Sequence, residues 1–197
     1  MLPVDGAAHT ASAARDFLIM SLGFEKIGSV GIGSSTQISG RASLNAGRTG
    51  VIEIGNGCNI KAGVRLVSYG GKITLGNRVS IGENTVIYGH GDVNIGESTA
   101  IGPLTFVGSQ EHIRSDQGPL RNTGEEFKEV IIGSGVIISA ACVVTAGVSI
   151  GDKAFIGAGS LVFHSVPSGV LAFGSPCRPI QKIERNPLEG WNDEENW

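Results

Sequence analysis

Along most of this chain an aliphatic residue recurs every six positions, a spacing that neither a helix nor a plain strand can use. The series falls into triplets: Ile32, Ile38, Leu44; Ile54, Ile60, Leu66; Leu75, Ile81, Ile87; Ile95, Ile101, Val107; Ile132, Ile138, Val144; and Ile150, Ile156, Val162. Helix faces repeat about every 3.6 residues and strand faces every second residue. A sustained six-residue period therefore reads as one short strand plus one corner, with three such units closing a coil. The expected architecture is all-β: a parallel β-helix of about six coils, one for each triplet. Each aliphatic side chain is expected to point inward and stack on its equivalent one coil away, about 4.8 Å along the axis.

Ten of these eighteen positions are followed directly by glycine. Those glycines are expected at corners, in backbone angles that a residue with a Cβ resists. Corners explain the abundance of glycine, 31 in 197 residues, about twice the roughly 7% of ordinary soluble proteins. No G-X-Y period accompanies them, so collagen and disorder are poor readings. Four residues after Ile54 and Ile138 stand Cys58 and Cys142, where other coils carry Thr36, Thr85 and Ala154. With Cys177 they make three cysteines without a CxxC or any Cys/His ligand spacing. We expect buried, unreactive thiols and neither a disulfide framework nor a structural zinc site.

The net charge of −3, with no Lys/Arg run, supplies no footprint for nucleic acid or an anionic membrane. Small molecules or neutral polymers fit better. The longest apolar stretch, "VIISAACVV", is far short of the roughly 18 to 20 residues that cross a bilayer, and no basic, then apolar leader opens the chain. A soluble, cytoplasmic protein is expected. Solenoid ends need caps, and residues 11–22, "ASAARDFLIMSL", read as a helical cap that pairs Phe17 with Met20 and Leu18 with Leu22. The organisation is thus a cap at 1–29, a β-helix at 30–166, and an exit segment with an acidic tail at 167–197 that holds Trp191 and Trp197.

The longest interruption of the period carries a loop. Val107 and Ile132 are 25 residues apart where six would continue the series, and residues 109–129 read as a polar loop leaving the coil.

The repeat, together with "GVSIGDKAFIGAGSLV" and "GSPCRPI" near its end, resembles the hexapeptide-repeat acyltransferases, specifically the galactoside, maltose and polysaccharide O-acetyltransferases. Ile137 and Ser139 depart from that pattern, where tryptophan and glycine are usual. The resemblance implies a left-handed coil, an exception to the common right-handed crossover. It also implies acetyl-CoA as co-substrate, and a homotrimer whose sites lie between subunits. In the loop, "SQEHIRSDQGPLRNTG" is similar to the histidine and P-x-x-x-G of the polysaccharide branch, which makes His112 the general base. A neutral imidazole suits that task, since its ordinary pKa is about 6.5. The resemblance places an oxyanion donor at the backbone N–H near Ala140. For acetyl-CoA it implies Ala140 and Ala158, whose small size admits the pantetheine arm, then Phe163, His164, Arg178 and Lys182. For a sugar or surface-polysaccharide acceptor it implies Asn84 and His90, with Asp92 behind them. Glu111 is a candidate to orient His112, and Asn84 equally reads as a corner residue in left-handed angles.

Other functions compete. N-acetylation of an amino-sugar nucleotide uses the same base and thioester, and the roughly 30 residues before the repeat suggest no nucleotide-binding domain there. That favours O-acetylation. A silent scaffold would not need the loop histidine. A gamma-type carbonic anhydrase needs three zinc-binding histidines with a close pair, whereas His9, His90, His112 and His164 hold no such pair. No metal is expected.

Overall fold

A computed structural model of the protein describes residues 24–114, 116 and 118–183. The cap expected at 11–22 and the tail with Trp191 and Trp197 lie outside the described residues.

The chain winds into a three-sided parallel β-helix. The first face stacks Glu25–Ile27, Ser43–Asn45, Arg65–Val67, Val86–Tyr88, Phe106–Gly108, Val143–Val144 and Leu161–Val162. The second stacks Ser29–Ile32, Val51–Ile54, Lys72–Leu75, Val93–Ile95, Val130–Ile132 and Ser149–Ile150. The third stacks Gln37–Ile38, Asn59–Ile60, Ser80–Ile81, Ala100–Ile101, Ile137–Ile138, Phe155–Ile156 and Val170–Gly174. An antiparallel strand, Cys177–Lys182, folds back on the last of these after a turn that contains the cis Ser175–Pro176 peptide. The parallel ladder thus starts at Glu25 and closes at Ala172, slightly beyond the period in both directions.

Sixteen of the eighteen aliphatic positions are buried, and equivalents pair coil to coil, as in Ile60 with Ile81 and Ile81 with Ile101. Each such side chain contributes roughly 1.5 to 3 kcal/mol of burial. A second inward position lies four residues later, where Cys58, Val64, Val79, Thr85, Thr99, Thr105, Val136 and Cys142 are all buried. The threonine hydroxyls there stay satisfied by donating to carbonyls of the next coil, Thr85 to Gly102 at 2.9 Å and Thr99 to Gly133 at 2.7 Å. The two exceptions to inward packing are Ile32, 39% exposed, and Ile38, half-buried. Both belong to the first coil, which has no described coil beneath it.

The glycines after the aliphatic residues do a different job from the one expected. None of the ten has a positive φ. Their lack of a Cβ instead permits coil contact: a Cβ on Gly102 would lie 2.6 Å from the Ala140 nitrogen, and one on Gly76 would lie 2.7 Å from that of Glu97. The left-handed residue comes three positions after the aliphatic one and is often not glycine, as at Ser35, Arg78, Asn84, Leu104 and Lys153.

Two outcomes are expected from this core. Ile81→Ala removes a fully buried side chain and should cost about 2 to 5 kcal/mol, read as a lower denaturation midpoint; a loss below about 1 kcal/mol would contradict the stacked column. Cys58, Cys142 and Cys177 are all buried, and burial, the largest influence, pushes the thiols of Cys142 and Cys177 above their ordinary value. A raised thiol pKa lowers the thiolate fraction at pH 8. A disulfide exchange reagent should therefore react slowly with the native protein and rapidly with all three thiols once it is denatured.

Candidate functional site

The edge between the first and second faces is where the chain leaves the prism. Ser109, fully buried at the exit, donates its hydroxyl to the Tyr88 carbonyl at 3.1 Å and accepts from the Gly91 N–H at 2.9 Å. Its own carbonyl accepts from the Lys128 N–H at 3.0 Å, which closes the base of the excursion. Between these points the expected loop is an antiparallel hairpin, Gln110–His112 against Glu125–Phe127, with a 3-10 turn at Leu120–Asn122. Beyond the paired residues the Ile113 N–H donates to Gly124 at 3.1 Å, and the Thr123 hydroxyl donates to the Ile113 carbonyl.

His112 is exposed at the outer end of its strand, opposite Glu125. Glu111 pairs with Glu126. Because strand side chains alternate in direction, Glu111 faces the other side of the ribbon from His112, and Glu125 is the carboxylate that shares the histidine's side. Sequence reasoning missed Glu125, because cross-strand register is absent from local spacing. Lys128 at the hairpin base pairs with Glu126 at 2.8 Å, and that hydrogen bond holds its ammonium above the ordinary lysine value.

His90 occupies the same edge one coil earlier, between the rings of Tyr69 and Phe127. Tyr69 and His90 follow Leu66 and Ile87 by three residues, so the six-residue register already stacked them. Asp92 is a corner brace, its carboxylate accepting from the Lys72 N–H at 2.7 Å.

Asn84, Ala140 and Ala158 lie on a different edge, between the third and first faces. Asn84 has φ +57°, three residues after Ile81, and its side-chain oxygen fills the place that a Cβ on Gly63 would take. With Arg41, Ala62, Gly63 and Glu83 it lines a shallow cavity of about 220 Å³. Asn84 and His90 flank the strand Val86–Tyr88, so at about 3.3 Å per residue they stand roughly 10 Å or more apart within one chain. Ala140 and Ala158 belong to successive coils, joined by the Gly159 N–H to the Ala140 carbonyl at 2.9 Å.

Near the closing strand, Phe163 and His164 have ring centres 4.3 Å apart, and the Arg178 guanidinium stands 6.0 Å from the centre of the Phe163 ring. Arg178 pairs across from the exposed Phe173 and donates to the Cys177 carbonyl at 3.1 Å. Lys182 pairs with Val170 at the opposite end of that strand, four residues and roughly 13 Å from Arg178. The fold thus gathers Phe163, His164 and Arg178 and leaves Lys182 apart. Phe173 is a member that the repeat did not reveal.

Among the described residues no group of three His, Cys, Asp or Glu is placed to hold a metal ion, and no helix is long and apolar enough to cross a membrane.

No protein-family model matches the chain. Over 142 residues, 71% of its length, it is 34% identical to a galactoside O-acetyltransferase of Lactococcus lactis subsp. lactis (strain IL1403), of which it covers 67%. Over 120 residues, 59% of its length, it is 37% identical to the galactoside O-acetyltransferase of Escherichia coli (strain K12), and it spans only 57% of that relative. Among solved structures it is similar to AntD, an N-acyltransferase from Bacillus cereus in complex with dTDP and 3-hydroxybutyryl-CoA. That likeness has a TM-score of 0.70 at 26% identity and covers 88% of this chain and 91% of the other.

Proposed function

The chain belongs to the hexapeptide-repeat acetyltransferase family, and from that premise we propose that it transfers acetyl groups from acetyl-CoA to a hydroxyl of a sugar or surface-polysaccharide acceptor. The observation that carries this reading is His112 itself, held exposed on a hairpin at the longest interruption of the period. The neutral imidazole takes the proton of the acceptor hydroxyl as that oxygen attacks the thioester carbonyl. The tetrahedral intermediate collapses by breaking the C–S bond, and the proton returns to the departing CoA thiolate. Acid–base assistance of this kind contributes roughly 10²- to 10⁴-fold.

The outer surface supports a shared site. On the first face the outward residues Val86, Phe106, Val143 and Leu161 pair in one apolar ladder. On the third face Ala100, Ile137, Phe155 and Leu171 form another. The outward row of the second face, Glu53, Thr74, Asn94, Ile131 and Ser149, is mostly polar. The two apolar ladders flank the edge of Asn84, Ala140 and Ala158, and another copy of the chain packed there would bury both. A homotrimer packed on this edge brings the hairpin of one subunit toward the Ala140 edge of the next and closes the gap between His90 and Asn84. Acetyl-CoA then lies along the intersubunit groove, with Arg178 toward phosphate and Phe163 toward the adenine. A fully active monomer in solution would contradict this arrangement.

N-acylation of an amino-sugar nucleotide is a second reading, favoured by the likeness to the Bacillus cereus N-acyltransferase over most of both chains. Acetyl-CoA consumption measured with free sugars, oligosaccharides and amino-sugar nucleotides, followed by the mass and linkage of the product, decides between the two.

Kinetics on that acceptor test the residue roles. His112→Ala should lower kcat by at least about 10²-fold with acetyl-CoA binding intact; near wild-type turnover would reject it as the base. Arg178→Glu should raise the KM for acetyl-CoA much more than that for acceptor, and an unchanged acetyl-CoA KM would remove it from the phosphate site.

A further inference from the structure

We infer that His90 is a positioning residue for His112, acting as the middle ring of a stack that fastens the hairpin to the prism. The inference rests on the reading of His112 as the base and assigns His90 a part other than hydrogen bonding to the acceptor.

The hairpin has little of its own to hold it. It pairs three residues with three, and an isolated two-stranded ribbon is marginal in water. His112, Ile113, Arg114, Glu125, Glu126 and Phe127 are all exposed. Its base, by contrast, meets a column of rings. Tyr69 and His90 are nearly parallel, with centres 4.1 Å apart and planes at 14°. His90 and Phe127 continue the stack at 5.7 Å and 21°. These distances bracket the coil spacing of about 4.8 Å, because the three rings come from successive levels of one edge. A second set braces the column from the first face: Tyr88 meets Tyr69 edge-on at 5.1 Å and Phe106 edge-on at 5.5 Å.

Two details point to shape rather than polarity at His90. Its Nδ1 is buried and meets no hydrogen-bond partner among the described residues, and the contacts that the ring does make are aromatic. Its two faces are taken by Tyr69 below and Phe127 above. Tyr69 is also held at φ +50°, a region that bulky residues seldom occupy, and its phenol is raised above the ordinary value, first by partial burial and then by its hydrogen bond with Tyr88. The backbone is thus committed to presenting that ring at the edge. Phe127 pairs with Gln110, two residues before His112, so the direction of the ribbon, and with it the place of the imidazole, follows from where Phe127 is seated.

The test compares ring-preserving with ring-removing variants in the full chain. His90→Ala and Phe127→Ala should each lower kcat about tenfold at unchanged KM for acetyl-CoA and should speed amide hydrogen exchange across residues 110–127. His90→Phe and Phe127→Tyr should restore both. Equal loss in His90→Phe and His90→Ala, with a raised acceptor KM, would overturn the inference in favour of a hydrogen bond to the acceptor. Hairpin exchange unchanged in both alanine variants would overturn it as well. Phe127 lies outside the prism core, so its variants keep the test open if His90→Ala folds poorly. Failure of the base assignment is read separately, from His112→Ala retaining turnover, while the exchange data still judge the stack.

Discussion

Close approach of successive coils is the constraint on which everything else in this molecule depends. With parallel strands about 4.8 Å apart, Gly76 and Gly102 leave no room for a Cβ where their corners meet the next coil. Given that approach, the inward aliphatic side chains touch their equivalents, and corner hydroxyls such as those of Thr85 and Thr99 reach carbonyls one coil away. The same spacing sets the ring column at the first edge, because side chains at equivalent corners are delivered one above another.

Most of the candidate site residues sit at corners for a related reason. Strand residues alternate between a filled interior and an outer face whose residues pair with their equivalents one coil away. Asn84, His90, Ala140 and His164 all stand between strands, where a side chain is added without interrupting the ladder. The largest excursion starts at Ser109, whose buried hydroxyl ties the exit to Tyr88 and Gly91. The prism remains continuous while residues 110–129 pass outside it: Val93 pairs with Val130 as though nothing intervened.

Much of this was legible from periodicity. The inward column follows directly from it, and the exceptions at Ile32 and Ile38 fall in the first described coil, which has no further coil stacked on those two faces among the described residues. The role of glycine was half legible: its abundance follows from corners, but the close contacts belong to the residue after the aliphatic position and the left-handed angles to a residue two further on. In the candidate site, His112 was marked by its place in the interruption. Glu111 was marked by nearness along the chain and Lys182 by the family resemblance of the exit segment; strand pairing sets Glu111 on the opposite side of the ribbon from His112 and Lys182 at the far end of its strand from Arg178.

The sequence by itself determined the coil, the direction of its core, the position of the break and the histidine displayed there, because each is a property of a one-dimensional period. Tertiary structure alone decided which groups meet: Glu125 beside His112, Phe127 on His90 and Arg178 over Phe163. The physical reason is that these contacts join segments whose separation along the chain carries no period. They depend on antiparallel register and on the seating of one ring against another, which exist only once the coils are stacked.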